Sequence, residues 1–157
     1  MDLILWRHAE AEDGADDAAR RLTPKGVKQA ARMAAWLDSR LPKNAQMLVS
    51  PAVRAQQTAE ALTREAETSE QVNTGARAAE VLKAVGWPNG SGTLVVVGHQ
   101  PTLGAVAALA LTGKASPWRI KKGGLWWIST QGAAQPAVLA VMSPDLLERS
   151  GARDAKK

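Results

Sequence analysis

The chain has two histidines, and each directly follows a short apolar run. His8 comes after Leu3-Ile4-Leu5-Trp6-Arg7, and His99 after Thr93-Leu94-Val95-Val96-Val97-Gly98. Arg7 stands beside His8. Arg54 follows Ser50-Pro51, where a helix is expected to open. Guanidinium groups stay protonated and bind two anionic oxygens at once. Neutral imidazole, with an unperturbed pKa of about 6.5, can act as a nucleophile or a base. Together these residue types describe an anion site with a nucleophile or a base inside it.

Such a site needs rigid elements to bring its members together. Leu3–Trp6 and Thr93–Val97 have the length and composition of strands buried on both faces, the second at the centre of a sheet. In an open α/β sheet the residues just past the carboxyl ends of the strands line the ligand crevice. Gln46–Val49 reads as a further strand, with Trp118–Ile120, Leu125–Ser129 and Ala137–Val141 as three final ones and an extended piece at Gln71–Thr74. Thr23-Pro24 is a cap followed by a first-turn proline, opening a helix striped by Val27, Ala30, Ala31, Ala34, Leu37 and Leu41. Ser50-Pro51 repeats the signal, with Ala55, Ala59, Leu62 and Ala66 as the stripe. Helical side chains lean toward the N-terminus, so Arg54 points back to the rim that carries His8. Arg77–Val85 and Leu103–Leu111, closed by Gly113, complete the helices. Residues 11–21 read as a loop crossing the rim near His8. The expected architecture is α/β, a three-layer α/β/α sandwich around a mixed, mostly parallel sheet.

At 157 residues, 45% hydrophobic and 22% charged, the chain fits one domain over 1–148, with a basic tail at 149–157. There is no cysteine, which removes disulfides and thiolate metal sites. The N-terminus lacks the basic start and the apolar length of a signal peptide. Leu103–Leu111 is about half the roughly 20 residues a membrane span requires. The expectation is a soluble, cytoplasmic protein that engages no membrane. The net charge of +5 lies partly in the tail, and no nucleic-acid motif accompanies it, so no nucleic-acid partner is expected.

The motifs carry a resemblance. Leu5-Trp6-Arg7-His8-Ala9-Glu10, Leu22-Thr23-Pro24-Lys25-Gly26, Ser50-Pro51-Ala52-Val53-Arg54-Ala55-Gln56-Gln57-Thr58-Ala59 and Val97-Gly98-His99-Gln100-Pro101 resemble, in order, the motifs of the histidine phosphatase (phosphoglycerate mutase-like) superfamily. In length and wording they are most similar to its compact bacterial phosphohistidine phosphatases of the SixA type. Ala9 stands where the family has glycine. The resemblance implies that His8 is the nucleophile that takes the phosphoryl group, and that Arg7, Arg54 and His99 bind the phosphoryl oxygens. Phosphoryl transfer relies mainly on positioning and charge stabilisation, which these groups supply. No cofactor and no metal are expected, because two arginines would oppose a cation in the same pocket.

Larger members of the family supply a glutamate acid from an insertion, for which the stretch between Arg54 and His99 leaves little room. Glu80 is the first candidate for a general acid by its place in the order, followed by Glu10, Glu12 and Asp13. Thr23 and Ser50 read as helix caps. Gln57 and Thr58 either orient Arg54 or pack. Lys121 and Lys122 read as a solvated turn, and Trp126-Trp127 as strand core and edge. A phosphoramidate can dispense with an acid, since its imidazole leaving group carries its own proton. The expected partner is therefore a phosphohistidine-bearing signalling or phosphotransfer protein. The alternatives are a small-molecule phosphomonoesterase, a phosphoglycerate mutase-like enzyme, and a phosphate-binding module without turnover.

Overall fold

Asp2–Arg7 forms strand β1 in the computed structural model, and its alternate side chains enter two separate cores. Ile4 and Trp6 pack with Met33, Ala34 and Leu37 on one side, and Leu3 and Leu5 with Val81, Leu103 and Val106 on the other. Leu3, Ile4, Leu5 and Trp6 are fully buried. At about 1.5–3 kcal/mol for each large apolar side chain, that burial makes β1 a fixed platform. The structure describes residues 1–131 and 134–147. The basic tail, and Gly132 of the last turn, lie outside them.

The other strands are β2 (Gln46–Val49), β3 (Glu67–Thr68), β4 (Thr93–Gly98), β5 (Leu125–Ser129) and β6 (Ala137–Met142). They form one sheet in the order β3-β2-β4-β1-β5-β6. The first four in this order are mutually parallel, β5 is antiparallel to β1, and β6 is antiparallel to β5. Helices α1 (Pro24–Asp38) and α2 (Val53–Glu60) contribute to one core, α3 (Ala78–Val85) and α4 (Thr102–Thr112) to the other. This is the expected three-layer sandwich, with β4 and β1 at its centre.

The register decides what meets at the rim. Trp6 of β1 and Val49 of β2 both pair with Val97 of β4. The three parallel strands therefore end level. The backbone N–H of His8 donates to the Gly98 carbonyl at 3.0 Å, and that of Ser50 to the Val97 carbonyl at 3.0 Å. His8, Ser50 and His99 leave the sheet side by side.

Several local expectations change. The buried stripe of α1 is Gly26, Gln29, Ala30, Met33, Ala34 and Leu37, while Val27 and Ala31 face solvent. The helix turns this way because Gly26 lies against β1's outgoing chain, where a Cβ would meet the Glu10 carbonyl oxygen at 2.0 Å. Helix α2 stops at Glu60, which leaves Ala66 exposed and outside it. Trp118–Ile120 is not a strand. Its carbonyls serve tertiary partners instead: that of Trp118 accepts from Gln100 Nε2 at 2.9 Å, that of Ile120 from Arg7 Nη1 at 2.8 Å. In place of an extended Gln71–Thr74, Glu67–Thr68 makes a two-residue strand and Glu70–Val72 a 3-10 turn.

Candidate active site

Arg54 is the hub. It sits in the first turn of α2, 2% exposed, and its guanidinium points back over the strand ends. Nε donates to His8 Nε2 at 3.3 Å, and Nη2 lies 3.3 Å from His99 Nδ1. The two imidazole rings are 5.2 Å apart between centroids and tilted by 58°. Residues separated by 45 and 46 positions thus converge on one fork.

The hydrogen bonds fix the protons on His8. Its Nδ1 lies 2.8 Å from the Ala9 carbonyl oxygen. A carbonyl only accepts, so Nδ1 carries the hydrogen and Nε2 keeps its lone pair. That lone pair faces Arg54. Thr58 holds the turn beyond it: its Oγ1 accepts from the Ala9 N–H at 3.0 Å and donates to the Arg54 carbonyl at 2.8 Å. Thr58 and Gln57, which accepts from the Leu22 N–H, therefore anchor backbone segments around the site and do not touch the guanidinium. Ala9 is fully buried there, so the position normally held by glycine accommodates its Cβ.

Both rings are held neutral. Burial pushes the His8 pKa down to about 3, reinforced by the charges of His99, Arg54 and Arg7 and opposed by the Ala9 carbonyl. Burial and Arg54 push His99 down to about 4, with Asp17 acting in the opposite sense and Arg20 and Arg7 adding to the fall. Arg7 ends β1 beside His8. Its Nη1 is spent on Ile120, while its buried Nε has no partner among the described residues. Burial, then the neighbouring Arg119, lowers the Arg7 pKa. A buried donor without a partner, on the residue that precedes His8, is suited to an arriving anion.

Asp17 is the member that sequence reasoning missed. It belongs to a 3-10 turn, Asp17–Ala19, in the rim loop. Its carbonyl accepts from Arg54 Nη1 at 2.7 Å and its Oδ2 from Arg54 Nη2 at 3.1 Å. Its Oδ1 accepts from Arg20 Nε and Nη2. Both arginines hold its carboxyl below the usual range, so it is an anion resting on the fork. The only available signal was an acid three residues before an arginine in a loop already placed at the rim.

Ser50 also departs from its reading as a cap. The N-cap of α2 is Ala52, and Ser50 Oγ lies 2.7 Å from His99 Nε2. Thr23 does cap α1, accepting from the Gly26 N–H, and it also donates to Glu10 Oε2 at 2.8 Å. Glu10 is thereby engaged. Glu80 is exposed in the first turn of α3 and has no hydrogen bond or ion pair to Arg7, His8, Arg54 or His99. Glu12 and Asp13 contribute no side-chain contact to the four either. Lys121 pairs with Asp145, and the turn it opens buttresses the site through the Gly123 N–H on the His8 carbonyl. Trp127 is buried with its Nε1 on Asp2, and Trp126 packs against Trp118, so neither lines the site. At the start of α4 the Leu103 N–H is taken by the His99 carbonyl and the Gly104 N–H by Gln100 Oε1. Among the described residues, no group of three His, Cys, Asp or Glu could hold a metal, and no helix is long and apolar enough to cross a membrane.

The sequence and the fold have counterparts among known proteins. The sequence model of the Histidine phosphatase superfamily (branch 1) matches residues 3–74. An uncharacterized protein of Mycobacterium tuberculosis is 37% identical over 108 residues, which cover 64% of this chain and 66% of the relative's own length. The phosphohistidine phosphatase SixA of Escherichia coli is 30% identical over 133 residues, 74% of this chain and 78% of that protein. A solved structure of the protein histidine phosphatase SixA complexed with tungstate superposes with a TM-score of 0.82 at 25% identity, covering 94% of this chain and 100% of that one. With a relative at this identity and coverage, and with the same sandwich, the chain belongs to the histidine phosphatase superfamily.

Proposed function

We propose that this protein is a phosphatase that takes a phosphoryl group onto His8 Nε2 and passes it to water, with phosphohistidine in a protein as its substrate. The observation that carries the reading is the bare Nε2 of His8, 3.3 Å from the Nε of a guanidinium that also reaches His99.

The lone pair of Nε2 attacks phosphorus in line with the bond that breaks. Arg54 and the free Nε–H of Arg7 follow the charge on the equatorial oxygens. In a phosphohistidine substrate the bond broken is P–N. Its electron pair returns to the leaving nitrogen, and an imidazole protonated at its other nitrogen departs neutral. The second step is the mirror of the first: water attacks phosphorus, the P–N pair returns to His8 Nε2, and the water's proton goes to phosphate or solvent. His8 keeps its Nδ1 hydrogen on the Ala9 carbonyl throughout, so the resting tautomer is regenerated.

This chemistry requires no acid for the leaving group, and among the described residues no carboxyl group bonds to either imidazole. Asp17 is the carboxylate paired with Arg54, and two arginines keep it ionised. An alkoxide leaving group would need a donor there. The substrate class is tested by comparing turnover of a phosphohistidine protein, an aryl phosphate and a sugar phosphate. Preference for the phosphohistidine protein is expected. Equal or faster turnover of the sugar phosphate would select a small-molecule phosphatase instead.

A further inference from the structure

A chain of hydrogen bonds behind His99 has a direction that can be read from one end. Glu70 Oε2 accepts from Asn73 Nδ2 at 2.9 Å. This orients the Asn73 amide, so its Oδ1 is the acceptor, used by the Thr74 N–H at 2.7 Å and by Ser50 Oγ at 3.3 Å. The single hydroxyl hydrogen of Ser50 is committed to Asn73. What remains on Oγ is lone pairs, one accepting from the Ala52 N–H at 3.2 Å. The 2.7 Å contact with His99 Nε2 must then be donated by the ring. The proton of neutral His99 is on Nε2, and Nδ1 is the bare nitrogen that meets Arg54 Nη2. Ser50 is fully buried and His99 3% exposed, so water has little access to replace these partners.

We infer that Ser50 and Asn73, oriented by Glu70, are positioning residues that commit one nitrogen of His99 to the protein interior and aim the other at the phosphate site. The inference rests on the phosphatase reading for its purpose, and on the hydrogen-bond chain alone for its geometry. Reversing the chain would put an N–H on Nδ1 directly against the guanidinium of Arg54. Arg54 would then turn away, and with it the Nε that faces His8. Besides Arg54 and the His8 ring, the charged groups facing His99 are Asp17 and Arg20 on the rim loop and Arg7 on β1.

The test uses the full chain labelled with 15N-histidine, in which two rings give two patterns. Long-range 1H–15N spectra distinguish the tautomers, with His8→Ala assigning the signals. Wild type should show His99 protonated at Nε2. Asn73→Ala frees the Ser50 hydroxyl to donate to the ring, and should move the proton to Nδ1. Ser50→Ala should give a mixture, while Ser50→Thr, which keeps the hydroxyl, should restore the wild-type pattern. The kcat/KM values of both alanine variants should fall about tenfold, the size of one hydrogen bond, and recover in Ser50→Thr. A wild-type proton on Nδ1 would overturn the inference, as would an unchanged ring pattern in Asn73→Ala. Unchanged kcat/KM with a shifted pattern would overturn the positioning role. If Ser50→Ala fails to fold, Asn73→Ala in its surface turn and the wild-type spectrum decide. The ring patterns are read without turnover, so an inactive wild type with the expected pattern would refute the phosphatase reading and leave the geometry standing.

Discussion

The Asp17 carboxylate lies 3.1 Å from Nη2 of Arg54, on the same fork that touches both imidazoles. Phosphate must share or displace that contact. The Asp17 side chain is 57% exposed, so its charge acts through a medium close to water, at about 1 kcal/mol for a neighbour 4 Å away. Asp17→Asn should therefore tighten inhibition by inorganic phosphate about fivefold at low salt, with the gain shrinking as ionic strength rises. Weaker inhibition would show that Asp17 holds Arg54 in place more than it competes for it.

Arg54→Lys should be far from conservative. One ammonium cannot reach His8, His99 and the Asp17 carbonyl together, as the guanidinium does. Losing a preorganised set of donors to a developing oxyanion typically costs about 10²–10³ in kcat. Steady-state kinetics on an aryl phosphate would measure it. A loss under tenfold would mean that Arg54 does not meet the transferred group.

The pH behaviour of the rings follows from their burial. His8 and His99 have pKa values lowered to about 3 and about 4, against about 6.5 in an unfolded chain. Between those values the unfolded state binds more protons than the folded one, so stability falls as pH drops from about 6.5 toward 4. Neither ring should titrate between pH 7.5 and 5 in 15N spectra, and the urea midpoint should decline across the same window. A histidine titrating near 6.5 in the free protein would contradict the neutral, desolvated site.

Glu80 offers a contrast. Its exposed place on α3, without contact to the four, predicts that Glu80→Gln keeps kcat within about twofold on phosphohistidine and aryl substrates alike. A loss of tenfold or more on an alkyl phosphate would restore it as an acid.

Much of the site was legible because strands carry it. Buried runs ending at Arg7 and Gly98 put both histidines at the strand ends, and first-turn placement aimed Arg54 back at them. What was not legible depended on contacts between distant segments. Ser50 carries the same residue type whether it caps a helix or holds His99, and only the level ending of β2 and β4 decides. Asp17 reaches Arg54 through the path of the loop at 11–21, which has no periodicity to read. Trp118–Ile120 has the composition of a strand, but Arg7 and Gln100 claim its carbonyls. In α1 the exposed Val27 misled the stripe, since the helix is turned by the approach of Gly26 to Glu10.

That approach gives a stability prediction away from the chemistry. A Cβ at position 26 would meet backbone at 2.0 Å, so the helix or the chain after His8 must move. Gly26→Ala should cost about 1–3 kcal/mol, or roughly 3–10 °C in Tm. An unchanged melting curve would show that α1 shifts freely.

The central claim, that His8 Nε2 carries the phosphoryl group, is tested most directly by rapid quench with a 32P-labelled phosphohistidine protein, followed by mapping of the labelled residue. The expected result is an acid-labile, alkali-stable label on His8, absent from a folded His8→Ala protein that also fails to turn over. Label on any other residue, or undiminished turnover by His8→Ala, would contradict it.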